Sequence, residues 1–379
     1  METKESLKVL VCGSVDEGKS TFLGRLFWDM NALKNDQILN LKTVSAARKN
    51  SKSQNDDEVD FSFLSDGLRA ERDQKITIDL AYRYFKYNDR QFIFIDAPGH
   101  AEYLPAMTSG AYECDVALVV IDVTKKCIEP QTIKHMLILN FFEVKKIIFV
   151  INKMDDVSVN LNSFEKKKRE IEDILKSNQI TFDQFEFIPV SALTGLGVTK
   201  NIKGSKSQSV FESLAIYEKQ NVDVTEFSVA VAKVCFINNQ RIYCESLLGR
   251  YIPSQKNIFK HSNLHFSFDA QEAEVFSVNQ LFIQNNNSEI LNSDQITILG
   301  LKLNAFSGNQ FIFKSEFLEC KCSFADYKVV NDLFFEAKIQ LPQKTYFSSF
   351  NFSKRLGSAL LIDPDAHQTV GICTYKISN

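Results

Sequence analysis

Residues 7–21 read LKVLVCGSVDEGKST, and this stretch decides the fold. Leu7 to Val11 form a short apolar run of the length of a buried strand. The run breaks at Gly13, and Gly13-Ser14-Val15-Asp16-Glu17-Gly18-Lys19-Ser20-Thr21 follows the spacing GxxxxGK[ST]. A helical pattern, STFLGRLFWDMNAL (20–33), comes next. A strand, a glycine-bounded loop and a helix in that order make a phosphate cradle. Gly13 and Gly18 let the backbone curl so that successive N–H groups point inward. The helix N-terminus adds its positive dipole end. Lys19 is expected to reach the β- and γ-phosphates of a nucleoside triphosphate, and the Ser20 hydroxyl to ligate Mg²⁺.

Working outward, the first 200 residues alternate between strand and helix. The further strand-like runs are QFIFIDAPG (91–99), DVALVVIDV (115–123), KKIIFVINK (145–153) and FEFIPVSAL (185–193). Helical patterns lie at 129–142 and 161–177. Continuous apolar strands between amphipathic helices imply an α/β domain, a mostly parallel sheet with helices on both faces. The polar stretch 43–58 reads as an excursion from the packed core, and 200–210 as a linker. Beyond residue 224 the runs become short and β-rich, as in LHFSFD (264–269), QITILGLKL (295–303) and FEAKIQL (335–341). Two small antiparallel β-barrels are expected there. The domains are therefore drawn at 1–210, 224–305 and 306–379.

Composition narrows the class. The chain has 379 residues, 44 Lys+Arg against 47 Asp+Glu, and a net charge of −3, which argues against broad nucleic-acid binding. Only 14 residues are glycine, so each one is informative about where a side chain cannot go. No stretch has the ~18 apolar residues a membrane helix needs, and the start METKESLKVLVCG does not read as a signal peptide. The 8 cysteines are scattered, and Cys320 and Cys322 are read as facing opposite ways, so free thiols in a cytoplasmic protein are expected.

Three more elements complete a triphosphate site. Asp96-Ala97-Pro98-Gly99-His100 ends a strand. Asp96 there would hold Mg²⁺, Gly99 would bring its N–H to the γ-phosphate, and His100 would orient the attacking water. Thr77 in KITID, between the two motifs, would ligate Mg²⁺ and bond the γ-phosphate. Asn152-Lys153-Met154-Asp155 and Ser191-Ala192-Leu193 end the next two strands. The Asp155 carboxylate can accept guanine N1–H and N2–H together, and adenine lacks that donor pair. The Lys153 stem can lie on the base, and the Ala192 N–H can serve guanine O6. GTP or GDP with Mg²⁺ is the ligand these choices imply.

Together GSVDEGKST, KITID, DAPGH, NKMD and SAL resemble the translational GTPase class. GSVDEGKSTFLGRLFWD, with FSFLSDGLRAERDQKITIDLAYRYF and the C-terminal LLIDPDAHQTVGIC (360–373), is similar to the large, GTPase subunit of bacterial sulfate adenylyltransferase. Ser14, where elongation factors have histidine, and Asp66-Gly67-Leu68 carry the narrower likeness. The resemblance implies a GTPase domain followed by two β-barrels. It also implies a smaller partner subunit that makes adenosine 5′-phosphosulfate and pyrophosphate from ATP and sulfate, driven by GTP hydrolysis here. On that resemblance Lys19, Ser20, Thr77, Asp96, His100, Asn152, Asp155 and Ser191 carry the chemistry. Two departures stand out: Lys75 replaces a usual glycine before ITID, and DAPGH replaces the commoner DTPGH. A translation-elongation GTPase and a non-hydrolysing GTP-bound scaffold are the alternatives.

Overall fold

The computed structural model describes residues 6–33, 38, 61, 79–156, 159–201, 208–219, 231–238, 241–246, 258–260, 265–269, 281–283, 290–304, 310–348, 350 and 353–375. The expectations for the stretch 43–58, for Asp66-Gly67-Leu68, for Lys75 and for Thr77 lie outside these residues. The chain divides into two compact units, Met1–Lys219 and Gln220–Asn379.

The first unit is built on a six-stranded sheet in the order β2-β3-β1-β4-β5-β6. Its strands are β1 (Leu7–Cys12), β2 (Ala81–Tyr87), β3 (Arg90–Asp96), β4 (Val116–Asp122), β5 (Lys146–Asn152) and β6 (Gln184–Pro189). Only the edge strand β2 runs antiparallel to its neighbour; the rest pair in parallel. All seven residues of β4 are buried, as expected of a strand covered on both faces. Among the described residues its longer helices are α1 (Lys19–Asp29), α2 (Leu104–Glu113), α3 (Pro130–Phe141), α4 (Leu161–Ser177) and α5 (Val210–Ile216). α1 buries Phe22, Leu23, Leu26 and Phe27 against the sheet. α4 starts at a capping box, in which Asn160 Oδ1 accepts from the Ser163 N–H at 3.1 Å.

The parallel strands make the site possible, because β1, β3, β5 and β6 all end at the same sheet edge. The loops leaving those ends carry the four motifs. The expected end of this domain at 210 is corrected. Val210, Phe211 and Leu214 of α5 belong to its core cluster, and Lys219 pairs with Asp115 at 2.9 Å. A second capping box, Ser209 with Glu212, starts α5. α2 was also absent from the sequence reading, because its buried face is carried partly by the small residues Thr108, Gly110 and Ala111.

In the second unit, β7 (Val231–Asn238), β8 (Arg241–Ser246), β9 (Ile258–Lys260), β10 (His265–Asp269) and β11 (Leu281–Ile283) form an antiparallel sheet ordered β11-β7-β8-β10-β9. A closed antiparallel barrel contains β12 (Ile290–Lys302), β13 (Gln310–Lys314), β14 (Glu319–Val329), β15 (Phe334–Ser348), β16 (Ser358–Ile362) and β17 (Thr369–Tyr375). The boundary expected at 305/306 is corrected, since β12 pairs with both β15 and β17 and closes the barrel. The β16–β17 hairpin turns on Asp363, whose Oδ1 accepts from the N–H groups of Asp365 and Ala366 at 2.9 and 2.8 Å. Cys320 and Cys322 share one face of β14, with Sγ atoms 3.2 Å apart. This corrects the reading of opposite faces, since side chains two apart on a strand point the same way. Among the described residues no helix is long and apolar enough to cross a membrane.

Candidate functional site

The phosphate loop runs from Gly13 to the first turn of α1. Gly18 caps the helix with φ +91°, and a Cβ there would lie 2.3 Å from Asn152 Nδ2. Any side chain would therefore meet both backbone strain and a collision. Lys19 Nζ donates to Gly13 O at 2.9 Å and to Ser14 O at 2.7 Å. The ammonium thus sits inside the curl of its own loop. Burial pushes the Lys19 pKa below the ordinary lysine value, and the Asp96 carboxylate opposes the shift. Gly99 packs against this arrangement: a Cβ there would fall 2.5 Å from Lys19 Nζ and 3.1 Å from Gly13 O. Close approach to the phosphate loop is thus a second reason for the glycine, beside the expected approach to a γ-phosphate.

The back of the loop is braced by side chains. The Gly13 N–H donates to His135 Nδ1 at 3.2 Å, and the Ser14 N–H donates to Thr132 Oγ1 at 3.2 Å. Both partners stand on α3, three residues apart, and both are fully buried. The Glu17 carboxylate accepts from the Asp122 N–H and from Lys125 Nζ, the latter at 3.3 Å. Burial raises its pKa, while those two donors pull the other way. Lys125 Nζ also donates to Val15 O at 3.1 Å. The buried Glu17 side chain therefore holds the loop in shape. Asp16, exposed at the loop tip, has φ +63°.

At the base end, Asn152 works as a staple. Its Nδ2 donates to Glu17 O at 3.0 Å, and its Oδ1 accepts from the Ala192 N–H at 3.1 Å. One side chain thereby joins the phosphate loop, the NKMD turn and the Ser191-Ala192-Leu193 turn. The Ala192 N–H, expected to serve guanine O6, is engaged with Asn152 instead. Lys153 has φ +65° and pairs with Asp122 at 2.6 Å, which holds its stem at the sheet edge. Burial works to raise the Asp122 pKa, but Lys153 and Thr124 outweigh it and hold the carboxyl below its usual range. Asp155 is exposed, with its carboxylate open to a ligand. Ser191 is buried, and its Oγ accepts from the Thr194 N–H at 3.1 Å, which shapes the turn. Leu193 is 41% exposed.

Asp96 ends β3 with 1% exposure beside Lys19. Ala97 and Pro98 are buried after it, and the Ala97 N–H is tied to Val11 O at 3.0 Å. Among the described residues no group of three or more His, Cys, Asp or Glu could hold a metal. A buried carboxylate and the hydroxyls of Ser20 and Thr21 in the first turn of α1 are hard oxygen donors. They fit a Mg²⁺ that keeps most of its ligands from phosphate and water. The His100 ring meets Tyr103 edge-on at 6.4 Å, and its Nε2 is buried without a hydrogen-bond partner among the described residues.

Thr132 and His135 went unread in the sequence, although T-x-x-H places both side chains on one helical face. The Gly13 N–H can only donate, so His135 Nδ1 accepts and Nε2 carries the proton. His135 Nε2 lies 3.0 Å from Gln131 Nε2, and an Nε2–H tautomer needs the Gln131 amide turned over so that its oxygen accepts. Burial, helped by the Lys19 charge, pushes the His135 pKa down to about 3. An unfolded histidine takes up a proton below pH ~6.5, whereas the folded one resists until about 3. Stability is therefore complete above the upper value and falls with acid across that window, by about 1.4 kcal/mol per pH unit. His135→Asn keeps an acceptor near Nδ1 and removes the titration. The unfolding midpoint of the first unit, followed from pH 7 to 4, should lose about one proton's worth of acid sensitivity. An unchanged slope would contradict the assignment.

The comparisons with known proteins agree with this geometry. The family model of the elongation factor Tu GTP binding domain matches residues 4–250. Sulfate adenylyltransferase subunit 1 of Shewanella woodyi is 41% identical over 196 residues, 51% of this chain and 40% of that protein. Its namesake in Pseudoalteromonas atlantica is 34% identical over 67% of this chain and 53% of that protein. That of Teredinibacter turnerae is 29% identical over 98% and 87%. The chain thus spans 40% and 53% of the length of the first two relatives. Among solved structures, the S. cerevisiae Ski7 GTPase-like domain bound to GDP and inorganic phosphate superposes with TM-score 0.58 at 16% identity, covering 99% of this chain and 98% of that one. That likeness is one of fold. A family match running from residue 4 to 250, across the whole nucleotide-binding architecture, makes this chain a member of the elongation factor Tu GTP-binding-domain family.

Proposed function

We propose that the chain is the GTP-hydrolysing subunit of a sulfate adenylyltransferase. GTP hydrolysis here drives adenylyl transfer from ATP to sulfate on a smaller partner subunit, releasing adenosine 5′-phosphosulfate and pyrophosphate. The observation that carries the reading is the 41% identity to a sulfate adenylyltransferase subunit 1 over 196 residues, half of this chain. The phosphate loop, Asp96, His100 and the base-end turns, all at one edge of the sheet, support this reading. The reading assigns a cytoplasmic protein in a heterodimer, with three domains: the nucleotide domain, a β-domain around β7–β11, and the barrel.

In this reading Gly13 to Thr21 wrap the phosphates, and Lys19 leaves its loop carbonyls for the β- and γ-oxygens. Ser20, Thr77 and Asp96 would hold Mg²⁺, which would supply charge neutralisation at the phosphates. His100 Nε2 orients the attacking water, and Gly99 offers its N–H to the γ-phosphate. Asp155 reads the guanine edge, beside Lys153 and the Ser191-Ala192-Leu193 turn.

The test mixes this chain with a candidate small subunit, ATP and sulfate, and measures pyrophosphate release with and without GTP. GTP-dependent release is expected, and His100→Ala should lower both it and GTP turnover by about 10²-fold. No release with both proteins folded would move the reading to a translation-type GTPase or a non-hydrolysing scaffold.

A further inference from the structure

Arg25 stands on α1, six residues beyond Lys19, and its side chain turns away from the phosphates. Its Nε donates to Asp29 Oδ1 at 2.9 Å, and its Nη1 donates to Leu193 O at 2.9 Å. Asp29 in turn accepts from Thr199 Oγ1 at 2.8 Å through its other oxygen. The guanidinium thus ties α1 to the Ser191-Ala192-Leu193 turn, and Asp29 ties it to the chain just beyond that turn. The fit is tight. Gly195 follows the turn with φ +84°, and a Cβ there would lie 2.5 to 2.6 Å from Arg25 Nη2, Cζ and Nε. On the other side the Phe61 ring lies 5.3 Å from Cζ. The side chain is largely buried, with 18% exposure against 10% for Asp29. A planar fork with fixed donors, held on both sides, sets a distance more firmly than a single point charge does.

α1 begins at the phosphate loop, so whatever fixes α1 to the turn also fixes the spacing between the phosphate and base ends of the nucleotide. Asn152 supplies one such link near the ligand. The Arg25–Asp29–Thr199 strut supplies another, about one and a half helical turns farther along α1. We propose that Arg25 is a positioning residue for base selection: by holding the Leu193 carbonyl it sets the turn where the Leu193 N–H meets the 6-oxo group of the purine, the Ser191 and Ala192 N–H groups being bonded to Leu196 O and Asn152 Oδ1. The inference rests on the proposed reading of guanine at this site. Because Arg25 acts through Asp29 and the Leu193 carbonyl, its effect falls on selectivity for that oxygen and spares affinity for nucleotides in general.

The experiment compares dissociation constants of GTP and of 2-aminopurine riboside 5′-triphosphate, which keeps the 2-amino group and lacks O6. The full chain is used, as wild type, Arg25→Ala, Arg25→Lys and Thr199→Val. Wild type should prefer GTP. In Arg25→Ala the preference should fall about tenfold, with analogue affinity changed less than about twofold, since one contact to O6 is lost. The altered N1 of the analogue is common to every variant and cancels in the comparison. Arg25→Lys can reach only one of the two partners and should fall between. Thr199→Val leaves the ion pair intact and should shift the preference the same way by less; it carries the comparison if Arg25→Ala does not fold. A folded Arg25→Ala with an unchanged preference, or with both nucleotides weakened equally, overturns the proposal while the base reading stands. A wild type that binds both nucleotides equally overturns the base reading itself and the proposal with it.

Discussion

Lys19→Met is expected to lower kcat/KM for GTP on the order of 10²–10³-fold, the cost of losing one well-placed charged donor at a developing negative charge. The substitution keeps most of the stem and removes the ammonium. The geometry explains why the effect is large. Nζ is already inside the phosphate loop, 2.9 and 2.7 Å from Gly13 O and Ser14 O. Burial lowers its pKa, and the neighbouring Asp96 carboxylate offsets only part of that shift. The ammonium is already within the loop, and exchanging its two carbonyl acceptors for phosphate oxygens takes only a movement of the side-chain end. The variant also leaves two loop carbonyls without a donor, at about 1–3 kcal/mol for each that stays unsatisfied. A measurable loss of thermal stability should accompany the kinetic loss. GTP turnover and melting temperature, measured on the same preparations, separate the two effects. Full turnover in a folded Lys19→Met protein would remove Lys19 from the mechanism.

Asp155→Asn should exchange nucleotide preference. Asp155 is exposed at the end of the NKMD turn, and that turn is held independently of it. The Met154 N–H donates to Val190 O at 3.1 Å, and Asn152 clamps the neighbouring loops. The variant should therefore fold normally. A carboxylate accepts two guanine donors, whereas an amide offers one acceptor and one donor. GTP should lose about 10²-fold in affinity, the scale of one or two charge-assisted hydrogen bonds. Xanthosine triphosphate, with a carbonyl where guanine has an amine, should gain. Competition binding of the two nucleotides checks this, and unchanged GTP affinity would defeat the assignment of Asp155.

Much of the site was legible because its chemistry is local in sequence. Gly13 to Thr21, Asp96 to His100, Asn152 to Asp155 and Ser191 to Leu193 each sit at a strand end, and a parallel sheet brings all such ends to one edge. The bracing was not legible, because it joins residues far apart. His135 and Thr132 reach back from α3 to Gly13 and Ser14, and Lys125 reaches Glu17. In the sequence each is an ordinary helix or loop residue. The capping box Ser209–Glu212 could have been read and would have moved the first boundary past 210. That β12 belongs to the barrel could not, since an apolar alternation does not name its pairing partner.

By itself the sequence determined the class of fold, the phosphate-binding loop and the chemical type of each group offered to the nucleotide. These follow from short-range rules: periodicity, glycine where a side chain cannot fit, and donor and acceptor inventories. Tertiary structure decided which of those groups bond one another and so hold the site together. Glu17 turned out to brace the loop, Asn152 to staple three segments, and the Ala192 N–H to bond Asn152. The physical reason is that a buried polar atom must find a partner wherever packing places one. Packing is set by the whole sheet and its helices, and a motif of nine residues does not contain it.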